Sequence, residues 1–410
     1  MSLKQLTKED YQEALTSFPA CSFMQTVEMG TLLEKRGNQV TYLGFEADGE
    51  VQVLAVLYAK PMFGGLMMEI NSGPASKDSR YLAPFYKALA VYAKQKGALE
   101  LVVKPYDTYQ TFDSDGNPAD DERAQLISDF TDLGYQHDGL QTGYPGGEPD
   151  WHYVKDLSGL TLQTLRKSYS KKGRPLANKT ASFGIKIRRL ERSELHLFKE
   201  ITSSTSERRD YDDKPLDYYE AFYDSFGDKA EFMLATINFQ DYLDNLTKDQ
   251  DKLKVSIDAI EAELAAGSNS CKKHRTLKEL KHQYETFEVR KSEARDFLEK
   301  YGQEDVSLAA SLFIYTPQES VYLFSGSLTE FNKFYAPVAL QEHVMSESIK
   351  RGITFYTFLG IQGIFDGSDG VLRFKQNFNG YIVRKMGTFR YYPRPMKRQA
   401  IQLVKKLLGR

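Results

Sequence analysis

The sequence predicts an α/β (α+β) chain made of two copies of one supersecondary unit, with an antiparallel coiled-coil helical hairpin inserted in the second copy. The order strand, strand, strand, loop, helix, strand occurs twice along the chain. Between the hairpin strands of the second copy, a long run carries apolar residues at heptad spacing on two segments. At 410 residues the chain is also too long for one ordinary hydrophobic core.

The first copy opens with a short helix, Lys8 to Phe18, and a strand over Val40 to Glu46. Asp48-Gly49 then turns the chain into a second, nearly continuous apolar strand, Val51 to Tyr58. A third strand, Gly65 to Ile70, ends in Asn71-Ser72-Gly73-Pro74, which neither strand nor helix tolerates internally. A helix over Tyr81 to Lys96 stops at Gly97, and Leu99 to Val103 reads as strand.

The second copy repeats this order. Phe232 to Ile237, Val306 to Tyr315 and Val321 to Phe324 are strands, a helix over Ala336 to Lys350 stops at Gly352, and Thr354 to Leu359 is strand-like. Where the first copy has only Asp48-Gly49, the second has about sixty residues. Leu246, Gln250, Leu253, Ile257, Ile260 and Leu264 form one heptad seam, and Leu277, Leu280, Tyr284, Phe287, Lys291, Ala294 and Leu298 form another. Ala266-Gly267-Ser268-Asn269-Ser270 breaks them, so they fold back on each other. Such an arm serves either as a spacer or as a docking element.

The two cysteines, Cys21 and Cys271, lie far apart and give no disulfide framework, and no run reaches the roughly 20 apolar residues of a membrane span. Met1 to Leu6 lacks the apolar region of a secretory signal, so a reduced, cytoplasmic setting is expected. Net charge is −2, yet no acid occurs between Asp156 and Glu191 or from Val371 onward, and both zones are rich in Lys and Arg. They are either solvated helix faces or places where anionic ligands sit, since clustered cations focus the field at a phosphate. The six histidines form no metal-spaced cluster, and there is no Ser/His/Asp or Cys/His pattern.

Several motifs resemble the Fem family of aminoacyltransferases. They are Ser22-Phe23-Met24-Gln25-Thr26 with Leu32-Leu33-Glu34-Lys35-Arg36, Tyr322-Leu323-Phe324-Ser325-Gly326-Ser327 leading to Phe334-Tyr335-Ala336-Pro337, and Gly370-Val371-Leu372-Arg373-Phe374-Lys375-Gln376-Asn377-Phe378. The resemblance spans nearly the whole chain and is most similar to the MurN-type, branch-extending members. It implies two tandem acetyltransferase-like (GNAT-like) domains, over 1–155 and over 156–241 with 302–395, an arm over 242–301, and a basic amphipathic C-terminal helix over 396–410. It further implies a charged tRNA, alanyl by this likeness, as co-substrate, no other cofactor and no metal. The acceptor is the stem-peptide branch of a lipid-linked peptidoglycan precursor, with peripheral contact at the cytoplasmic face of the membrane.

Residue roles follow from the same resemblance. Lys375 matches the lysine that stabilises the oxyanion formed when an amine attacks the aminoacyl ester, flanked by Phe374, with Tyr322 nearby. Lys214 falls where a phosphate-binding arginine is expected. Its first-domain partner position is Leu33, leaving Lys35 or Arg36 as substitutes, and Phe324 replaces a tyrosine in the same precursor-binding group. The Asp-Pro of some members is Lys104-Pro105 here, with Asp107 the remaining carboxylate. Arg166, Lys167, Lys171, Lys172 and Arg174 are the candidates for tRNA, because phosphate contact needs cations and little sequence specificity. Two other classes fit parts of the sequence: an acetyl-CoA-dependent N-acetyltransferase, and a non-catalytic RNA-binding or scaffold protein.

Overall fold

The computed structural model describes residues 1–145, 149–267 and 270–407. Ser268 and Asn269 in the expected break of the arm, and 408–410 at the end of the expected C-terminal helix, lie outside the described residues.

Both copies of the repeated unit are present, each at the heart of its own sheet. In the first, Gln39–Ala47, Glu50–Met62, Gly65–Asn71 and Ala98–Lys104 lie side by side, the last joined in parallel through the helix Leu82–Gln95. In the second, Ala230–Asn238, Asp305–Tyr315, Ser320–Ser327 and Phe355–Ile361 repeat the order, with Ala336–Lys350 as the crossover helix. The hairpin at Asp48-Gly49 forms because both residues take positive φ, 55° and 85°, as a two-residue primed turn demands. Gly97 (φ 84°) and Gly352 (φ 72°) follow the two crossover helices at equivalent places, where a left-handed residue ends a helix without steric cost.

The sheets are not contiguous in sequence. Thr108–Phe112 and all but the last residue of Trp151–Asp156 precede the expected boundary at 155/156, yet both strands extend the second sheet, in the order Phe355–Ile361, Trp151–Asp156, Tyr381–Lys385, Thr108–Phe112. In return Phe389–Tyr391, near the chain end, pairs with Ala98–Lys104 in the first sheet. Each exchange covers backbone groups that would otherwise stand unpaired at a sheet edge. A turn before Ser320–Ser327 ties the halves further: Gln318 donates to the Phe18 carbonyl at 3.2 Å, while Glu319 accepts from the Phe23 N–H at 2.7 Å and from Tyr106 Oη at 2.8 Å.

The arm consists of Phe239–Ala265 and Cys271–Tyr301. It begins three residues before the expected boundary at 242 because Asn238 caps it, accepting from the N–H groups of Gln240 and Asp241. Its root is aromatic: Phe239 stacks on Phe297 at 4.7 Å between centroids, with Phe331 and Phe334 alongside. Further out a polar cluster interrupts the apolar seam. Lys291 donates to Gln250 Oε1 at 2.9 Å and Gln250 donates to Glu288 at 2.5 Å, a pairing that fixes the register of the two helices. No helix among the described residues is long and apolar enough to cross a membrane.

Candidate functional site

The two sheets differ at their parallel pair. In the first, Gly65–Asn71 and Ala98–Lys104 stay paired from Leu66 through Asn71. In the second, Ser320–Ser327 and Phe355–Ile361 pair only at Ser320 with Tyr356 and Val321 with Thr357, then part. Both strands are irregular beyond that point, with register shifts at Leu312/Phe313 opposite Tyr322 and at Thr357/Gly360. Leu359 takes φ 55°, a strained value for a leucine. The second sheet therefore opens into a mouth between these two strands, beyond Val321 and Thr357.

Lys375 sits at that mouth. It ends the helix Gly370–Lys375, which Asp369 caps by accepting from the N–H groups of Val371 and Leu372. The same carboxylate accepts from the Gln362 N–H at 3.0 Å, which closes the loop leading back from the strand. The lysine is buried, 3% exposed, and its Nζ donates to the carbonyls of Leu359 at 3.1 Å and Gly360 at 2.5 Å. An ammonium has three donors, so one remains for a ligand. Burial pushes its pKa down to about 7, opposed by the Asp369 carboxylate. Phe374 packs edge-on against Phe378, which stacks on Phe358 of the strand beside the mouth.

The opposite strand contributes Tyr322, whose hydroxyl donates to Ser325 Oγ at 2.5 Å and whose pKa is raised by burial. Arg209, in the last turn of the helix Leu195–Arg209, acts electrostatically on both Tyr322 and Tyr144, and Tyr144 also feels Asp369. Its guanidinium makes no hydrogen bond or ion pair among the described residues. Sequence reasoning gave Arg209 no role, since nothing in the local pattern shows that the helix end reaches the mouth.

The expected precursor contacts converge from both halves on one ring. Arg36 follows the helix Val27–Lys35 and lies over Tyr218 at 4.9 Å, while Lys214 lies over the same ring at 5.7 Å. Tyr218 in turn meets Phe324 edge-on at 6.1 Å. Two exposed cations gathered at one aromatic ring suit an anion with more than one charge. Lys35 is not part of this pair; it faces Asp224, where it assists Arg192 in keeping that carboxyl ionised. Tyr218 carries no sequence signal that would single it out.

The basic stretch is divided. Arg166 forms a two-point ion pair with Glu342 of the crossover helix, and Arg174 donates to the Tyr169 carbonyl at 3.1 Å, so both cations are engaged within the fold. Lys167, Lys171 and Lys172 are exposed. This turn leans on the segment that follows Lys375: Ser170 N–H donates to the Asn377 carbonyl, Asn379 donates to the Ser168 carbonyl, and buried Lys155 donates to the Phe378 carbonyl at 2.8 Å. In the arm, by contrast, Lys252, Lys254, Lys273, Arg275 and Lys281 pair with arm carboxylates.

Gly173 makes the first contact possible, because a Cβ there would lie 1.8 Å from the Asn377 oxygen. Gly173→Ala is expected to cost about 1–3 kcal/mol of stability as the turn is forced off the segment that follows Lys375. A lowered urea midpoint reads this out; an unchanged midpoint means the turn yields freely.

Between the two halves lies a cavity of about 40 Å³ lined by Asn71, Lys104, Tyr106, His152 and Lys385 among others. Lys104 pairs with Glu69 at 3.4 Å. Burial raises the pKa of Asp107, opposed by the Lys385 charge. His152 pairs in register with Gly360, is held neutral by burial that lowers its pKa to about 3, and lies close enough to Lys375 to feel its charge. Among the described residues no group of three His, Cys, Asp or Glu side chains could hold a metal ion.

A family model described as the FemAB family matches residues 6–406. The chain is 29% identical over 398 residues to aminoacyltransferase FemB of Staphylococcus epidermidis, covering 95% of this chain and 94% of that one. It is 26% identical to aminoacyltransferase FemA of Staphylococcus aureus over the same shares. Its fold matches the crystal structure of FemX with a TM-score of 0.78 at 19% identity, over 97% of this chain and 99% of the other.

Proposed function

The chain belongs to the FemAB family, an aminoacyltransferase lineage, and on that footing we propose that it transfers an aminoacyl group from a charged tRNA to the stem-peptide branch of a lipid-linked peptidoglycan precursor. Alanine is the amino acid that the sequence resemblance favours. The observation that carries the proposal is the buried Lys375 ammonium at the open mouth of the second sheet.

In this reading the ester carbonyl enters between the parted strands. A neutral amine of the acceptor attacks its carbon, a C–N bond forms, and negative charge gathers on the oxygen. The third donor of Lys375 meets that charge, already aimed by the two carbonyls that hold the ammonium. The C–O bond to the tRNA 3′ oxygen then breaks, the amine gives up a proton and the leaving oxygen takes one up. An α-amine with a pKa near 8 is partly neutral at physiological pH, so the reaction can proceed without a dedicated base. Lys167, Lys171 and Lys172, anchored beside Lys375's segment, support the tRNA backbone as the donor's carrier. Arg36 and Lys214 on Tyr218 support the pyrophosphate as the acceptor's handle.

Arg36→Ala and Lys214→Ala are each expected to raise the precursor KM about tenfold, the worth of one charge-assisted contact, with kcat little changed. Steady-state kinetics with saturating donor checks the split; a fall in kcat at constant KM would place both residues in the chemistry instead. The proposal as a whole is tested by offering labelled aminoacyl-tRNA and labelled acetyl-CoA in turn with the lipid-linked precursor. Label must pass from the tRNA, and transfer from acetyl-CoA alone, or from neither, overturns it.

A further inference from the structure

Beyond the transfer reaction, one surface of the first half has a composition the site does not use. The C-terminal helix Pro395–Leu407 docks through one face: half-buried Ile401 reaches so close to Gly64 that a Cβ there would lie 2.4 Å from its Cδ1, and Arg394 donates to the Lys94 carbonyl at 3.2 Å. A second face is left outward. Met396, Ala400 and Leu403 recur at i, i+4 and i+7 and so share one side of the helix. Met396 is 83% exposed and Leu403 62%. Phe63, 61% exposed, immediately precedes Gly64, the residue on which Ile401 docks. The docked helix and the turn beneath it thus carry three large exposed apolar side chains.

The charge carried by this last stretch of the chain has one sign. No Asp or Glu follows Asp369 in the chain, while Arg394 immediately precedes this helix and Lys397 and Arg398 belong to it. Arg398 is stacked on Tyr392 at 3.5 Å, but Lys397 is exposed, and Lys60 at the end of the strand leading to Phe63 is exposed too. An apolar stripe bordered by cations matches a surface that is apolar beneath and anionic on top.

We propose that this edge, formed by the outward face of Pro395–Leu407 together with Phe63, seats the protein on an anionic phospholipid bilayer. Met396, Leu403 and Phe63 enter the headgroup boundary while Lys397 and Lys60 meet lipid phosphates. The helix stays docked through Ile401, so the protein lies on the bilayer as a rigid body instead of hanging from a flexible tail. The inference stands without the transfer reading, because vesicle binding needs neither tRNA nor precursor.

The test is flotation of the full-length chain with vesicles of phosphatidylcholine alone or mixed with phosphatidylglycerol. The expected result is binding to the mixed vesicles at least about tenfold tighter than to phosphatidylcholine alone, weakened by 0.5 M salt as surface charges are screened. The Met396→Asp/Leu403→Asp variant, and separately Phe63→Ser, should each lose most of that binding with an unchanged thermal melt, since all three positions are exposed. Three outcomes overturn the proposal: no flotation of the unaltered chain with anionic vesicles, flotation undiminished in both variants, or light scattering that finds a dimer which the double variant dissociates. The last would assign the face to a second copy of this chain.

Discussion

Lys375→Met lowers kcat for transfer by about 10²–10³-fold and leaves precursor and tRNA affinity nearly unchanged. The magnitude is that of removing one oxyanion donor from a preorganised site. The pattern follows because only the transition state carries the charge that the ammonium is aimed at, so ground-state binding is spared. Methionine keeps the volume of the buried stem, so the change removes a charge without opening a cavity. It also leaves the Leu359 and Gly360 carbonyls without their donor, which makes a thermal melt a necessary companion measurement. An unaltered kcat with an unaltered melt removes Lys375 from the mechanism.

The second large effect is on pH dependence. Lys375 works only when protonated, and burial brings its pKa to about 7. The attacking α-amine works only when neutral, with a reference pKa near 8. Below about pH 7 the lysine is charged and the rate rises with pH as the amine loses its proton. Above about pH 8 the amine is already neutral and the rate falls about tenfold per unit as Lys375 loses its own. The profile of kcat is therefore a narrow bell peaking between about 7 and 8, once spontaneous hydrolysis of the donor ester is subtracted. Lys375→Arg supplies the control: a guanidinium stays charged throughout, so whatever activity survives should rise and then level off. A falling alkaline limb in that variant would show that another group produces it.

What could be read from the residues alone divides along physical lines. The arm was legible because heptad spacing is a local pattern, and so was the duplicated order of elements, marked by Asp48-Gly49, Gly97 and Gly352. Strand exchange was not, since pairing of Trp151–Asp156 with Phe355–Ile361 depends on contacts some two hundred residues apart that no local signal encodes. Lys375 was reached through family resemblance; what makes it chemically distinct, burial against carbonyls at a bulge where Leu359 is left-handed, appears only in three dimensions. The choice between Lys35 and Arg36 was open in the sequence, and the structure brings Arg36 to Lys214 because both find Tyr218. Arg166 looked like its basic neighbours, yet Glu342, a distant residue on another helix, engages its charge.

The central claim is that acyl transfer takes place at the mouth of the second sheet, with Lys375 facing the carbonyl oxygen. The most direct measurement is a crystal structure with a stable amide analogue of the aminoacyl-adenosine end of the tRNA. The account predicts the analogue's carbonyl oxygen about 3 Å from Lys375 Nζ, between Tyr322 and Leu359. An acyl group seated instead in the cavity beside Lys104 and Tyr106, with Lys375 still turned only toward its two backbone carbonyls, would contradict it.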